Sequence, residues 1–132
     1  MTYMLDSNIC AYIMNERHGV VKRFRQALPH GVCISTIVLS ELEFGVRKSV
    51  AQERNRNKLN GLCSLLSILP YDTQATDEYG IIRSELERCG QVIGSLDMLI
   101  AAHVKSLDLT LVTNNTSEFL RVDGLKLEDW VL

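Results

Sequence analysis

Three acidic side chains stand where apolar neighbours would shield them from water: Asp6, Glu41 and Asp97. Asp6 directly follows the apolar run Tyr3-Met4-Leu5, and Asp97 lies between Leu96 and Met98. Glu41 shares one side of an expected helix with Ile37 and Gly45, at i−4 and i+4, so apolar or close-packed neighbours are expected around it. Each acid has an ordinary explanation alone: a helix cap for Asp6, a favourable first-turn acid for Asp97, a solvated helix residue for Glu41. Gathered at one poorly solvated edge, however, carboxylates repel one another unless a cation neutralises them. An all-oxygen cluster lacking Cys and His selects a hard cation such as Mg²⁺ or Mn²⁺. Such an ion activates water and stabilises the charge that builds on a phosphate.

Whether the acids meet depends on the elements that carry them. Short strand-like runs alternate with longer helical periodicity, which argues for βαβ units, a parallel sheet and an α/β fold. Tyr3-Met4-Leu5 stops at Asp6-Ser7-Asn8, and Val32-Cys33-Ile34 stops at Ser35-Thr36. Ser67-Ile68-Leu69 precedes Pro70, Leu109-Thr110-Leu111-Val112 stops at Thr113-Asn114-Asn115, and a last short strand is expected near Leu125-Lys126-Leu127. Helices are expected after Asp6, over 20–27 until Pro29-His30-Gly31, and from Ile37 through Phe44. A further helix from about Ala51 carries Leu59, Leu62, Leu65 and Leu66 on its stripe, and another covers 73–88. Residues 96–107 are apolar on nearly every side, the mark of a helix buried at the centre. In an open parallel sheet, sites form at the carboxyl ends of the strands where strand order reverses, so Asp6 and Asn115 should meet at one edge. Glu41 and Asp97, each near the start of its helix, can reach that edge.

The chain has 132 residues, 46% of them hydrophobic, which suits one domain over 1–132. It lacks an apolar run of the ~18 residues that a membrane span needs, and its start lacks the basic and apolar regions of a signal peptide. A soluble, cytoplasmic protein with no membrane partner is the expectation. Cys10, Cys33, Cys63 and Cys89 include no C-x-x-C, and His18, His30 and His103 are scattered, so neither zinc, disulfides nor a Ser/His/Asp arrangement is expected. The net charge of −2 hides two basic segments, Arg17 to Arg25 and Arg47 to Lys58, the second opposed only by Glu53. Two basic segments beside an acidic metal pocket suit a polyanion whose phosphate must reach the metal. With Asp6, Glu41 and Asp97 set aside as site ligands, 14 basic residues face 13 acidic ones. Aromatics make up only 6%, and no base-stacking platform is evident.

Four segments together resemble the PIN-domain ribonucleases, specifically the VapC-type toxins of prokaryotic toxin–antitoxin pairs. Met4-Leu5-Asp6-Ser7-Asn8 is similar to the family's opening motif, and Ser40-Glu41-Leu42 with Gly45 to its Ser-Glu-Leu-x-x-Gly helix. Gly94, Asp97 and Ile100-Ala101 resemble its Gly-x-x-Asp-x-x-Ile-Ala segment. Leu111-Val112-Thr113-Asn114-Asn115 with Glu118-Phe119 resembles the closing motif, which commonly has a fourth Asp where this chain has Asn115. The resemblance implies a three-layer α/β/α sandwich around a mostly parallel sheet. It implies a Mg²⁺-dependent endoribonuclease (Mn²⁺ as the other ion) acting through Asp6, Glu41, Asp97 and Asn115, with Asp6 and Asp97 as metal ligands. Ser7 and Thr113 would orient carboxylates, and Glu118, one helical turn beyond Asn115, would either partly replace the missing charge or be a surface residue. The partners implied are RNA, tRNA among structured RNAs, a second copy of the chain, and a VapB-type antitoxin through which operator DNA is bound. Two rivals are a degenerate PIN domain that binds RNA or protein without cutting, and a phosphorylated receiver-type switch. The receiver needs an acidic pair after the first strand, where this chain has Asp6 alone.

Overall fold

Five short strands, β1 (Tyr3–Leu5), β2 (Val32–Ser35), β3 (Ser67–Leu69), β4 (Thr110–Val112) and β5 (Lys126–Glu128), lie in the order β3-β2-β1-β4-β5. The structure, a computed structural model, describes residues 1–132. Every strand pairing is parallel; Met4, for example, stands opposite Cys33 on one side and Leu111 on the other. The three inner strands are apolar runs because both of their faces are covered: Met4, Leu5, Cys33, Ile34, Leu111 and Val112 are fully buried.

Between β1 and β2 come α1 (Ser7–Met14) and α2 (Val20–Ala27); between β2 and β3 come α3 (Thr36–Lys48) and α4 (Gln52–Cys63). The chain then crosses back through α5 (Thr73–Arg88) and α6 (Ser95–Ser106) to β4, and α7 (Thr116–Phe119) leads to β5. Parallel crossovers are right-handed. The first two run one way along the sheet and the later ones the other way, so they cover opposite faces and give the α/β/α sandwich.

The capping residues at strand ends do start helices. Asp6, Ser35 and Asp72 each accept a hydrogen bond from a backbone N–H of the helix that follows. Helix α6 is the buried central one, with Met98, Ile100, Ala101, Ala102, His103 and Val104 enclosed; Leu96, at its start, is exposed.

Three local expectations differ from the structure. Pro29 does not break the chain out of helix at once, because Leu28–His30 continue as a 3-10 turn. That turn ends at Gly31, where φ is 89° and an added Cβ would lie 2.8 Å from the Met1 Cα, so glycine is required. Helix α4 stops at Cys63, which removes Leu65 and Leu66 from its stripe and leaves Leu65 exposed. Gly45 is not close-packed: an added Cβ would meet nothing within 4 Å.

His103 turns out to be structural. Its Nδ1 lies 2.8 Å from the Ser35 Oγ in the core, and its ring meets Tyr71 edge-on. Ser35 Oγ already accepts from the Ile37 N–H, so its hydroxyl proton is free to go to a neutral imidazole. Burial, the main cause, pulls the His103 pKa below its ordinary 6.5. Below that value the unfolded chain takes up a proton that the folded one refuses, so stability complete at pH 7.5 drains as pH falls. The urea midpoint of the wild type should fall more between pH 7.5 and 5.5 than that of His103→Gln. An equal or smaller fall contradicts this role.

Candidate active site

The strand order reverses between β1 and β4: from β1 the chain moves toward β2 and β3, and it returns to β4 on β1's other side. The crevice at the carboxyl ends of these two strands is where a parallel sheet places its ligands. Asp6 leaves β1 there and Thr113 leaves β4, tied by the bond from Asp6 N–H to the Val112 carbonyl.

Asp6 is only 4% exposed, and both of its oxygens are held. The Ser7 N–H donates to Oδ1 at 2.8 Å, and the Thr113 hydroxyl donates to Oδ2 at 2.9 Å. The Thr113 oxygen in turn accepts from the Asn115 N–H at 3.0 Å. Burial pushes the Asp6 pKa up, and the bonds from Thr113 and Ser7 oppose that rise. This residue is therefore both the cap of α1 and a buried acid at the crevice.

Glu41 projects from α3, half-buried, close to the Ser7 side chain. Its pKa is raised first by burial and then by the charge of Asp6, so the two carboxylates sense each other. Gly45, one turn on, leaves open space beside it rather than packing.

Asp97 sits in the first turn of α6, after Gly94. A Cβ on Gly94 would stand 3.3 Å from the Asp97 Oδ2, so the bare backbone gives that carboxylate room. Its pKa is pushed up to about 7, by burial first, then by Glu118, Asp6 and Glu41. Glu118 is held low by its contact with Asp97 and by the Asn115 side-chain amide, which donates to its Oε2 at 2.5 Å. The two carboxyl groups therefore shift in opposite directions, Asp97 up and Glu118 down. Sequence reasoning left the role of Glu118 open. Its signal was the i+3 spacing from Asn115, which puts it on the first turn of α7.

Asp6, Glu41, Asp97 and Glu118 thus face one crevice, and none pairs with a Lys or Arg. No trio of acids stands at metal-coordinating spacing. Cys10 lies beneath Asp6, but burial keeps it a thiol far above the ordinary range, so sulfur adds nothing to the donor set. The available donors are carboxylate and amide oxygens, which fit a hard divalent cation. Asn115 is present at the crevice, with its amide nitrogen committed to Glu118.

The family model described as the PIN domain matches residues 3–125. The chain belongs to the PIN-domain family. Over 132 residues this PIN domain is 43% identical to ribonuclease VapC2 of Rickettsia felis and 45% identical to the tRNA(fMet)-specific endonuclease VapC of Shigella flexneri. In both cases the match covers 98% of either chain. The crystal structure of VapBC2 from Rickettsia felis bound to a DNA fragment from their promoter superposes with a TM-score of 0.93 at 42% identity. It covers 98% of this PIN domain and 99% of that chain. The receiver-type alternative is thereby set aside.

Proposed function

We propose that this PIN domain is the endoribonuclease toxin of a toxin–antitoxin pair, cutting RNA with Mg²⁺ or Mn²⁺ at the Asp6–Glu41–Asp97 crevice. The observation that carries the reading is the gathering of four carboxylates, unpaired with any base, at the sheet's switch point. A non-cutting scaffold has no use for that arrangement, in which burial raises the pKa of Asp6, Glu41 and Asp97.

Asp6 and Asp97 would hold the cation, which when bound neutralises the acids and activates water near the phosphate. The chain's own parts prepare for it. Ser7 N–H and the Thr113 hydroxyl fix the rotamer of Asp6, and Gly94 leaves Asp97 room to present its oxygens. Asp97, whose pKa is pushed up to about 7, would be fully ionised as a ligand. Glu41, beside Ser7, positions the reacting water, and the Asn115 amide anchors Glu118 in place of a fourth acidic ligand.

The names of the relatives support RNA, tRNA in one case, as substrate, and the VapBC complex supports a VapB-type antitoxin that carries promoter DNA binding. The exposed apolar side chains Phe44, Val50, Leu96 and Leu120 support surfaces for that antitoxin and a second copy. One continuous buried core supports a single domain over 1–132. No helix is long and apolar enough to cross a membrane.

The test is RNA-end sequencing after induced expression. Wild type should produce discrete new 5′ ends, and Asp6→Asn, folded by circular dichroism, should produce none. The same ends from both proteins would refute the assignment.

A further inference from the structure

A groove of about 350 Å³ opens beside Glu41, bounded by α1, α3 and α4 and lined among others by Asn15, Gly45, Arg54, Asn55 and Lys58. Its acidic end is the catalytic crevice and its far end is basic. Helix α4 carries three cations in this stretch, but they are not equivalent. Arg56 is neutralised by a two-point bond to Glu43, at 2.8 and 2.6 Å. Arg54 and Lys58 have no carboxylate partner. They are one turn apart, about 6 Å along the helix, and so share a face. Asn15, pinned by its own bond to the Ala11 carbonyl, accepts from Lys58 Nζ at 2.9 Å and holds the ammonium in the groove.

Gly45 adds an independent observation. In a helix interior, Gly costs about 1 kcal/mol relative to Ala, and nothing within 4 Å would obstruct a side chain here. Packing does not require the glycine. Its effect is to keep the groove clear between Glu41 and the two cations.

We propose that Arg54 and Lys58 form a phosphate-binding subsite that holds the RNA strand one or two nucleotides from the scissile phosphate. The inference rests on the nuclease reading and extends it to how the strand is held. Charge complementarity commits the groove to RNA: two unneutralised cations face a backbone with one charge per nucleotide, and the acidic crevice can accept a phosphate only at the metal.

The test measures binding of labelled bulk tRNA to the full chain carrying Asp97→Asn, so that nothing is cut, across a KCl series. Arg54→Gln with Lys58→Gln should weaken binding at least tenfold at low salt. It should also reduce the slope of log K against log [KCl] by about 1.4, or 0.7 per single-strand phosphate. Arg54→Lys with Lys58→Arg should restore the slope, which separates lost charge from lost fold. Gly45→Leu, which fills the groove without changing charge, should also weaken binding. Lys126→Gln, at the opposite end of the strands, should leave the slope unchanged. An unchanged slope in the double glutamine variant overturns the subsite. So does an equal loss in Lys126→Gln, or a loss of antitoxin binding with RNA binding intact. RNA cleavage by the wild type is scored separately: its absence defeats the nuclease reading whatever the slope, and its presence with an unchanged slope defeats the subsite alone.

Discussion

Asp97→Asn is expected to abolish RNA cleavage and yet to give a metal-free protein that is harder to unfold. Wild-type Asp97 ionises at about 7 in the folded state against an ordinary 3.8, because burial and its neighbours Glu118, Asp6 and Glu41 disfavour the charge. Across that interval the unfolded chain gives up the proton and the folded chain keeps it, so the wild type loses stability as pH rises. Asparagine carries no charge, and its amide can donate to Glu118. The stability gap between variant and wild type should therefore open from about pH 4 and level off above about 7. After discounting for partial exposure, it should reach about 1–2 kcal/mol, or on the order of 5 °C in melting temperature. Saturating Mg²⁺ should reverse the order, since the variant lacks a ligand. A variant less stable than the wild type at pH 8 without metal would show that Asp97 is not strained in this way.

Thr113→Val should be the most damaging change at a residue that touches neither metal nor RNA. The two side chains have nearly the same shape, so packing is preserved while the hydroxyl is lost. That hydroxyl donates to Asp6 Oδ2 and accepts from the Asn115 N–H, and both it and Asp6 are buried. Its removal leaves a buried carboxylate oxygen without a donor and a backbone N–H without an acceptor, costing about 1–3 kcal/mol. Asp6 would also lose the bond that most opposes the rise of its pKa. Cleavage should fall about 10–100-fold, the range found when a group that orients a metal ligand is removed. Thr113→Ser, which keeps the hydroxyl, should retain most activity. Equal activity in the valine and serine variants would mean that Thr113 does not orient Asp6.

The strands, their caps and the crevice were legible because they are local. An apolar run that ends in Asp, Ser or Thr states both a strand's end and a helix's start. The reversal of strand order then places Asp6 beside Thr113, although 107 residues separate them. Asp97 was legible for a related reason, since an acid in the first turn of an otherwise apolar helix needs a purpose. What escaped depends on side chains that meet across elements. Glu118 reads as a surface residue until α7 lays it against Asp97. Gly45 reads as a packing glycine until α4 is seen to stand away from it. The end of α4 was misplaced because Leu65 and Leu66 continue its periodicity, while Ser64 already closes the helix by donating to the Gly61 carbonyl. His103 gave no signal at all, because its meaning lies in Ser35, at the end of β2 and 68 residues away.

The central claim, that a cation held by the acidic crevice drives RNA cleavage, is tested most directly by stripping and restoring the metal. Purified protein treated with excess EDTA should leave bulk tRNA intact, and added Mg²⁺ should restore cleavage in the wild type but not in Asp97→Asn at any concentration. Undiminished cleavage in EDTA, or restored cleavage in Asp97→Asn, would contradict it.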